Sequence, residues 1–173
     1  MDITTRVKVP CRVAYVRINK PVSFRDGATE KYSLTCIIDK EDQDTVDAIN
    51  NAIYEAQRIG IDKKWDGSMP DDIKSPLRDG DADRPDDETY KGKYFISAST
   101  IQKPVVVDKQ VHIVNDPRMV YSGCYCNVIL EFYPFRSPAV DGIAAELGNI
   151  QFVKDGEPLG FQNRLNNEFE VIA

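Results

Sequence analysis

The chain has 173 residues, of which 42% are hydrophobic and 29% are charged, and its net charge is −6. This length and composition suit one globular domain with a full hydrophobic core. No apolar run approaches the roughly 18 residues that a membrane span needs, and the first six residues lack the apolar block of a signal peptide. We therefore expect a cytoplasmic protein with no membrane contact.

Two strands are predicted in the first 40 residues. Over residues 6–18, Val7 and Val9 alternate with basic residues. The alternation is lost at Pro10, which predicts a bulge or an edge position there. A second strand is predicted over residues 32–38, because every second residue in that segment is apolar.

One helix is predicted next, over about residues 41–59. Apolar residues recur there at helical spacing, at Val46, Ile49, Ile53 and Ala56. Asp39 is the predicted N-cap and Gly60 is the predicted C-cap. Because the apolar stripe is narrow, we expect the helix to pack one face onto a sheet and to leave the other face in water.

Residues 61–92 show no periodicity and are predicted to form a long irregular loop. Such a loop is unusual inside a compact domain, so it is functional, partly mobile, or contains a short helix. Its acidic stretch begins with the spacing of an EF-hand calcium loop, at Asp79, Asp81 and Asp83. However, Arg84 stands where that loop needs glycine, and Tyr90 stands where it needs glutamate. The aspartates from 79 to 87 are therefore predicted to form a solvated loop and not a metal site.

Four further strands are predicted after the loop, over residues 93–100, 105–114, 119–135 and 149–154. The strand over 105–114 is expected to bend near residues 108–109, and the next strand to contain a bulge at residues 122–123. Residues 136–148 are predicted to form a loop with a helical turn.

About six strands, with one helix between the second and the third, favour a mainly β fold. A small closed β-barrel that carries one inserted helix and one long irregular loop fits this order best. We assign residues 1–160 to this single domain and residues 161–173 to a C-terminal tail.

The cysteines do not form a metal-binding pattern. They occur at Cys11, Cys36, Cys124 and Cys126, without a Cys-x-x-Cys pair, and the chain has a single histidine, His112. A structural zinc site usually needs four well-spaced thiolates or imidazoles. We predict four reduced, mostly buried thiols and no metal.

Basic and acidic residues are segregated along the chain. The net charge is +4 over residues 1–40 and +3 over residues 91–136, but −9 over residues 41–90. The two basic blocks hold most of the predicted strands, and the second one also holds seven aromatic residues. Single-stranded nucleic-acid binders combine a cationic groove with aromatic faces on which bases stack. The pattern therefore predicts a partner of this kind.

The predicted contacts with the nucleic acid fall into two groups. Five tyrosines are predicted to stack on bases: Tyr15, Tyr94, Tyr121, Tyr125 and Tyr133. Five basic residues are predicted to contact phosphates: Arg12, Arg17, Lys91, Lys93 and Arg118. The alternative is that most of the aromatic residues belong to the core. In the strand over 119–135, Phe132 lies on the apolar face, whereas Tyr125 and Tyr133 lie on the mixed face and are the better candidates.

Signatures of catalysis are missing from the sequence. It has no Gly-rich phosphate loop, no Gly-x-Ser-x-Gly and no His-Glu-x-x-His. We therefore predict a protein that is not an enzyme and needs no cofactor. One alternative is a nuclease that uses magnesium or manganese at the aspartates 79–87, although such chemistry needs carboxylates on rigid elements.

Four segments resemble a group of tailed-bacteriophage single-stranded DNA-binding proteins that was formerly classed as a domain of unknown function. The resemblance extends over about residues 5–160, and it rests on the order and spacing of strand-and-turn patterns. The segments are YSLT at 32–35, KGKYFISAS at 91–99, YSGCYCNV at 121–128 and GIAAELGNIQFVKDGE at 142–157.

The resemblance implies an oligonucleotide-binding (OB) fold and sequence-independent binding of single-stranded DNA in phage replication or recombination. It also implies a C-terminal tail that excludes DNA and recruits phage replication proteins, and it allows a homodimer. The last eight residues contain only Glu168 and Glu170 as acidic residues, so they depart from the acidic tail of the family. The alternative is a structural or interaction β-domain of a phage virion that binds no nucleic acid.

Overall fold

The computed structural model of the protein describes residues 4–23, 25–160, 168–170 and 172. Its strands are β1 (Arg6–Val22), β2 (Lys31–Asp39), β3 (Ile73–Lys74), β4 (Arg78–Asp79), β5 (Lys93–Thr100), β6 (Val106–Val107), β7 (Tyr125–Arg136) and β8 (Asp141–Lys154). Its helical elements are α1 (Gln43–Lys63), α2 (Gly80–Asp83) and a 3₁₀ turn at Glu88–Tyr90. Neither of the described α-helices is long and apolar enough to cross a membrane. The predicted C-terminal tail lies mostly outside the described residues.

Five long strands close into a barrel, as the order of the predicted elements indicated. β1 pairs antiparallel with β2 and with β7, β2 with β5, and β7 with β8. The barrel is closed where β5 meets β8 in parallel, at Ser99 and Glu146. The long helix α1 lies between β2 and β5 in the chain, so its predicted place is confirmed.

The core fills the barrel and extends to one face of α1. Alternate residues of each strand point inward, so Val9, Ile96 and Leu130 are fully buried, and Ile49 and Ala56 of α1 are buried with them. All four cysteines are free thiols and buried in or beside this core, which confirms the predicted burial. A hydrogen bond with Cys124 and burial together raise the pKa of the Cys126 thiol, so it stays protonated.

The ends of α1 differ from the prediction. The N-cap is Asp42, whose carboxylate accepts a hydrogen bond from the N–H of Thr45, whereas Asp39 accepts one from the N–H of Glu41 just before the helix. The helix continues past Gly60 to Lys63, so a C-cap at Gly60 is wrong. Gly60 is instead buried where the Trp65 ring crosses the helix.

Gly60→Ala is expected to lower the free energy of unfolding, although alanine normally stabilises a helix by about 1 kcal/mol relative to glycine. An added Cβ would lie 2.5 Å from Cζ3 of Trp65 and 2.8 Å from Cβ of Pro134. Overpacking of this kind costs about 1–3 kcal/mol, which outweighs the gain in propensity. Urea unfolding would measure the difference. Asn51→Ala, on the exposed face of the same helix, is the control and should be neutral or slightly stabilising.

The second half of the chain contains two errors of prediction. Residues 141–148, predicted as part of a loop with a helical turn, form the first half of β8. Ile143, Ala145 and Leu147 point into the core there. The alternation was hidden because the intervening Ala144 and Glu146 are common in helices. The strand predicted from residue 119 begins only at Tyr125.

The segment between β5 and β7 is bent, as predicted near residues 108–109. Only Val106–Val107 is a strand there, and a single bridge joins Val107 to Ile113 across the bend. The irregular loop 61–92 contains β3, β4, α2 and the 3₁₀ turn, so it does hold a short helix.

The register of β1 with β2 is irregular in two places, between Ala14 and Arg17 and between Arg17 and Val22, and not at Pro10. Pro10 pairs with Asn127 in an unbroken register, so a bulge at Pro10 is wrong, whereas the pairing of β1 with β2 begins only at Arg12, in agreement with the alternative of an edge position. The register with β2 shifts after Ala14, where β1 holds one extra residue, and Tyr15 has a φ of +49°. A bulge of this kind reorients side chains. Tyr15 therefore points away from the barrel and is 50% exposed.

Candidate nucleic-acid interface

A small apolar cluster lies on the outside of the barrel, separate from the main core. It contains Ala14 of β1, Ile37 of β2, Phe95 of β5 and Tyr90 of the 3₁₀ turn. The Tyr90 ring meets the Phe95 ring edge to face, with 5.1 Å between the centroids. The loop that connects α2 to β5 is therefore docked on the outer face of three strands, and burial raises the pKa of the Tyr90 hydroxyl.

Arg84 lies at the centre of this docked loop. Its guanidinium carbon is 4.7 Å from the ring centroid of Tyr90, 4.8 Å from that of Phe95 and 5.7 Å from that of Tyr15. Its Nη1 also donates to the Tyr15 hydroxyl over 3.4 Å. Such cation–π contacts hold the cation and the rings together. Arg84 thus fixes Tyr15 from one side. Arg84 was not among the predicted contact residues, because it lies in a segment predicted to be a solvated loop.

Two open hollows adjoin on this outer face and form what we call the groove. The first has a volume of about 890 Å³ and the second about 540 Å³, and Thr89 lines both. The aromatic and basic residues of the groove are Arg12, Tyr15, Lys93, Arg118, Tyr121, Tyr125 and Lys154, together with Tyr90. Four acidic residues, Asp39, Asp42, Asp87 and Glu88, also line it, and Asp39 pairs with Lys93 over 3.3 Å. The groove therefore combines aromatic rings with cations.

Tyr125 is flanked by two cations at the second hollow. Lys154 Nζ lies 4.8 Å from the ring centroid, and the guanidinium carbon of Arg12 lies 5.8 Å from it. Arg12 also donates from Nε to the Gly123 carbonyl over 2.9 Å and from Nη2 to the Glu157 carbonyl over 2.6 Å. Arg12 therefore fixes the segment after β8 as well as placing a charge at the groove.

Tyr121 forms part of the wall of the first hollow. Its hydroxyl donates to Oδ1 of Asp155 over 2.8 Å and accepts from the N–H of Gly156 over 3.2 Å. Burial, and then the hydrogen bond with Asp155, raise the pKa of this hydroxyl. The ring packs against the core, so Tyr121 holds the wall in place and exposes less ring than Tyr15.

The structure brings six of the ten predicted contact residues together in the groove: Arg12, Tyr15, Lys93, Arg118, Tyr121 and Tyr125. Four predicted contact residues lie outside the groove. Tyr94 lies on the inner side of β5, packed against the core with Lys40 Nζ 5.2 Å from its ring centroid.

Tyr133 is 40% exposed, but it lies eight residues along β7 from Tyr125, about 26 Å away. Arg17 is half-buried opposite Ser33, and Lys91 is exposed after the 3₁₀ turn; neither lines the groove.

The acidic stretch is exposed to solvent, as predicted, but its first part is ordered in β4 and α2 and ion-paired. Lys40 Nζ lies 2.7 Å from Oδ1 of Asp79 and 2.8 Å from Oδ2 of Asp81. Hydrogen bonds from Lys40 lower the pKa of both carboxyl groups. Asp81 also accepts from the N–H of Gly92 over 3.0 Å. These carboxylates hold both ends of the docked loop against the barrel. Within the described part of the chain, no three His, Cys, Asp or Glu side chains form a group that could hold a metal.

Lys40→Met is expected to speed hydrogen exchange at the Gly92 amide, because Asp81 loses the cation that holds it in place. Global stability should change little, since exposed ion pairs contribute little. Because the pKa values of Asp79 and Asp81 are lowered, the wild-type anchor is complete at neutral pH. It should be lost only as the pH falls below about 3.8. Exchange measured by NMR tests this, with the exposed Lys63→Met as control, and equal exchange in both variants would contradict it.

Comparison with known proteins gives consistent matches. A family model described as the ssDNA-binding protein of Enterobacter phage Enc34 matches residues 3–173. Protein p50 of Acyrthosiphon pisum secondary endosymbiont phage 1 is 28% identical over 156 residues, which cover 84% of this chain and 81% of that protein.

Two solved structures share the fold. The single-stranded DNA-binding protein from bacteriophage Enc34, in complex with ssDNA, superposes with a TM-score of 0.76 and 26% identity over 90% of each chain. The single-stranded DNA binding protein gp2.5 encoded by bacteriophage T7 superposes with a TM-score of 0.63 over 97% of this chain and 98% of that one. At 18% identity, this second likeness concerns the fold alone. The predicted OB-type barrel is confirmed.

Proposed function

The chain belongs to the family of the Enterobacter phage Enc34 ssDNA-binding protein, and from this premise we propose that it binds single-stranded DNA in phage replication or recombination. The family match bears out the resemblance seen in the sequence. The observation that carries the proposal is the groove, where the exposed ring of Tyr15 and the flanked ring of Tyr125 lie among cations. Both features are those of a surface that stacks bases and tracks phosphates.

The proposed mechanism assigns one role to the rings and another to the charges. Bases stack on Tyr15 and Tyr125, while Tyr121 shapes the wall between them. Lys93, Arg118 and Lys154 contact phosphates, together with Arg12. Stacking uses the flat face that every base has, so this mode of binding carries little sequence preference. Arg17 and Lys91 contact the strand only where it extends beyond the groove.

The acidic net charge agrees with a groove that uses few phosphate contacts. The groove offers four basic side chains, and each phosphate contact to a single strand contributes about −0.7 to the slope of log K against log salt concentration. For a strand short enough to fill only the groove, a slope no steeper than about −3 is therefore expected.

The experiment is fluorescence anisotropy of a labelled oligo-dT strand and of a duplex of equal length, each titrated over a series of salt concentrations. Salt-sensitive binding to the single strand, with weak binding to the duplex, is the expected result. If the single strand does not bind even at low salt, the proposal is wrong and a structural role in the virion takes its place. Equal affinity for strand and duplex would contradict the preference for single strands.

The remaining parts of the proposal go beyond the family match. The protein acts in the cytoplasm of the bacterial host, without a cofactor and without catalysing a reaction. Residues 161–173 recruit phage replication proteins, although Glu168 and Glu170 are the only acidic residues there, and the protein forms a homodimer. Incubation with single-stranded DNA and magnesium should leave the DNA intact. Sedimentation velocity should give the mass of a dimer.

A further inference from the structure

A short hairpin follows β5 at one end of the barrel and carries exposed apolar side chains. Its first arm, β6, pairs in parallel with β8, from Val106 to Ile150. Its second arm returns through the bridge between Val107 and Ile113. Ile113 is 69% exposed and Val111, at the turn, is 68% exposed. The hairpin is thus fixed to the barrel on one side and presents apolar residues to solvent on the other.

Val111 is held in a backbone conformation that disfavours valine. Its φ is +66°, in the left-handed region where a β-branched residue is a genuine outlier. The turn holds it there, because Oδ1 of Asp108 accepts from the N–H groups of Gln110 and His112, each over 2.9 Å. Glycine would adopt this conformation without strain. Since the Val111 side chain is mostly exposed, packing does not offset the strain, and such outliers concentrate at functional positions.

A third hollow connects this hairpin to the groove. It has a volume of about 270 Å³, and Ile113, Lys103 and Asp116 line it; Asp116 is paired with Arg118 over 3.3 Å. It shares Asn19, Pro117 and Val120 with the first hollow of the groove, so a strand that lies in the groove can continue into it. Lys103 and Lys109 are exposed beside the apolar residues. The surface thus continues the groove with the same pairing of apolar contact and positive charge.

We propose that the hairpin is a second contact site for single-stranded DNA, reached by the strand as it leaves the groove through the third hollow. This inference rests on the proposed function. Bases pack their flat faces on Val111 and Ile113, and Lys103 and Lys109 contact the adjoining phosphates. Continuity with the groove and the flanking lysines favour a nucleic acid over a protein as the occupant. The hairpin therefore lengthens the stretch of DNA that one molecule covers.

Val111→Gly removes both the backbone strain at residue 111 and the side chain proposed to contact a base, and two different measurements report on these two changes. The variant should raise Tm by about 2–4 °C, because glycine relieves the strained turn. It should also weaken binding of an oligo-dT of about 16 nucleotides by about three- to tenfold, while an oligo-dT of about 5 nucleotides, which fills only the groove, binds as before. Asp66→Gly is the matched control. Asp66 also has a positive φ of 55°, but aspartate tolerates this conformation and its side chain pairs with Arg136 over 3.0 Å, so Asp66→Gly should leave the affinity unchanged without raising Tm.

The lysines are tested through the salt dependence. Lys103→Gln/Lys109→Gln should make the slope of log K against log salt shallower by about 1.4 for the long oligonucleotide, which corresponds to two lost phosphate contacts. The short oligonucleotide should keep its slope. Lys63→Gln/Lys64→Gln, on exposed residues at the end of α1, removes the same charge elsewhere and should leave both slopes unchanged.

The outcomes distinguish this inference from the proposed function. If the wild type binds neither oligonucleotide, the proposed function itself fails. If the wild type binds and the hairpin variants match it at both lengths, only the hairpin site is refuted. If Val111→Gly lowers the mass measured by light scattering in parallel with the affinity, the hairpin contacts a second copy of the chain, and the inference is also overturned.

Discussion

Alanine at both Tyr15 and Tyr125 is expected to weaken the binding of oligo-dT by at least about 30-fold. Each stacked base contributes about 1–3 kcal/mol to binding, so two lost rings cost about 2 kcal/mol or more. Tyr15 is the more exposed ring and should account for the larger share, because it can meet a base without any rearrangement. Anisotropy at one fixed salt concentration measures the loss.

Three controls separate stacking from other effects. Tyr15→Phe and Tyr125→Phe keep the ring and should bind within a few-fold of the wild type. Tyr54→Ala removes a tyrosine that is 66% exposed on α1, and it should leave binding unchanged. Urea unfolding of each variant shows that the barrel remains folded. If the double alanine variant is folded and binds like the wild type, the stacking residues lie elsewhere even though the function is retained.

Arg84→Ala is expected to weaken oligo-dT binding by about 10- to 30-fold. Arg84 contacts three rings, and cation–π contacts contribute about 0.5–2 kcal/mol each. Without it, the docked loop and the ring of Tyr15 lose the side chain that orients them. Arg84→Lys should recover only part of the affinity, because an ammonium group lacks the planar guanidinium that stacks on aromatic faces.

Two readouts show whether Arg84 acts through Tyr15. If it does, the salt slope of Arg84→Ala equals that of the wild type, because no phosphate contact is lost. The effects of Tyr15→Ala and Arg84→Ala should then not add, since both remove the same oriented ring. A shallower slope together with additive losses would instead make Arg84 a direct phosphate contact.

The fold was largely predictable because the inward-facing residues of most strands alternate in the sequence. The barrel and the strand at 93–100 followed from that pattern, and the inserted helix followed from apolar residues at helical spacing. The first half of β8 did not, since Ala144 and Glu146 on its outer face have low β propensity. The bulge at Tyr15 could not be predicted, because tyrosine has no preference for positive φ. Pro10, in contrast, favours a bulge by its local chemistry, but it pairs with β7 without a shift in register.

The class of ligand could be predicted from the sequence, but the residues that form the site could be predicted only in part. Aromatic and basic residues on strands indicated the class of ligand, but the face on which each residue lies depends on register. Tyr94 and Phe95 are neighbours in sequence, yet the pairing of β2 with β5 places Tyr94 against the core and Phe95 outside. Arg84 belongs to a segment whose net charge is negative. Its position depends on the ion pairs of Lys40 with Asp79 and Asp81, which join residues about 40 positions apart in the sequence.

The order of strands in the barrel determines when the protein can fold during its synthesis. β1 pairs with β7 from Arg6 to Glu131, and β8 closes the barrel at β5. A nascent chain that ends after β5 therefore has a three-stranded sheet with two open edges and an uncovered apolar face. Pairing between distant segments is slow, and open edges favour association with other chains. Closure must wait until Glu146 has left the ribosome, so slow or stalled translation, which prolongs the open-edged state, should favour aggregation over native protein.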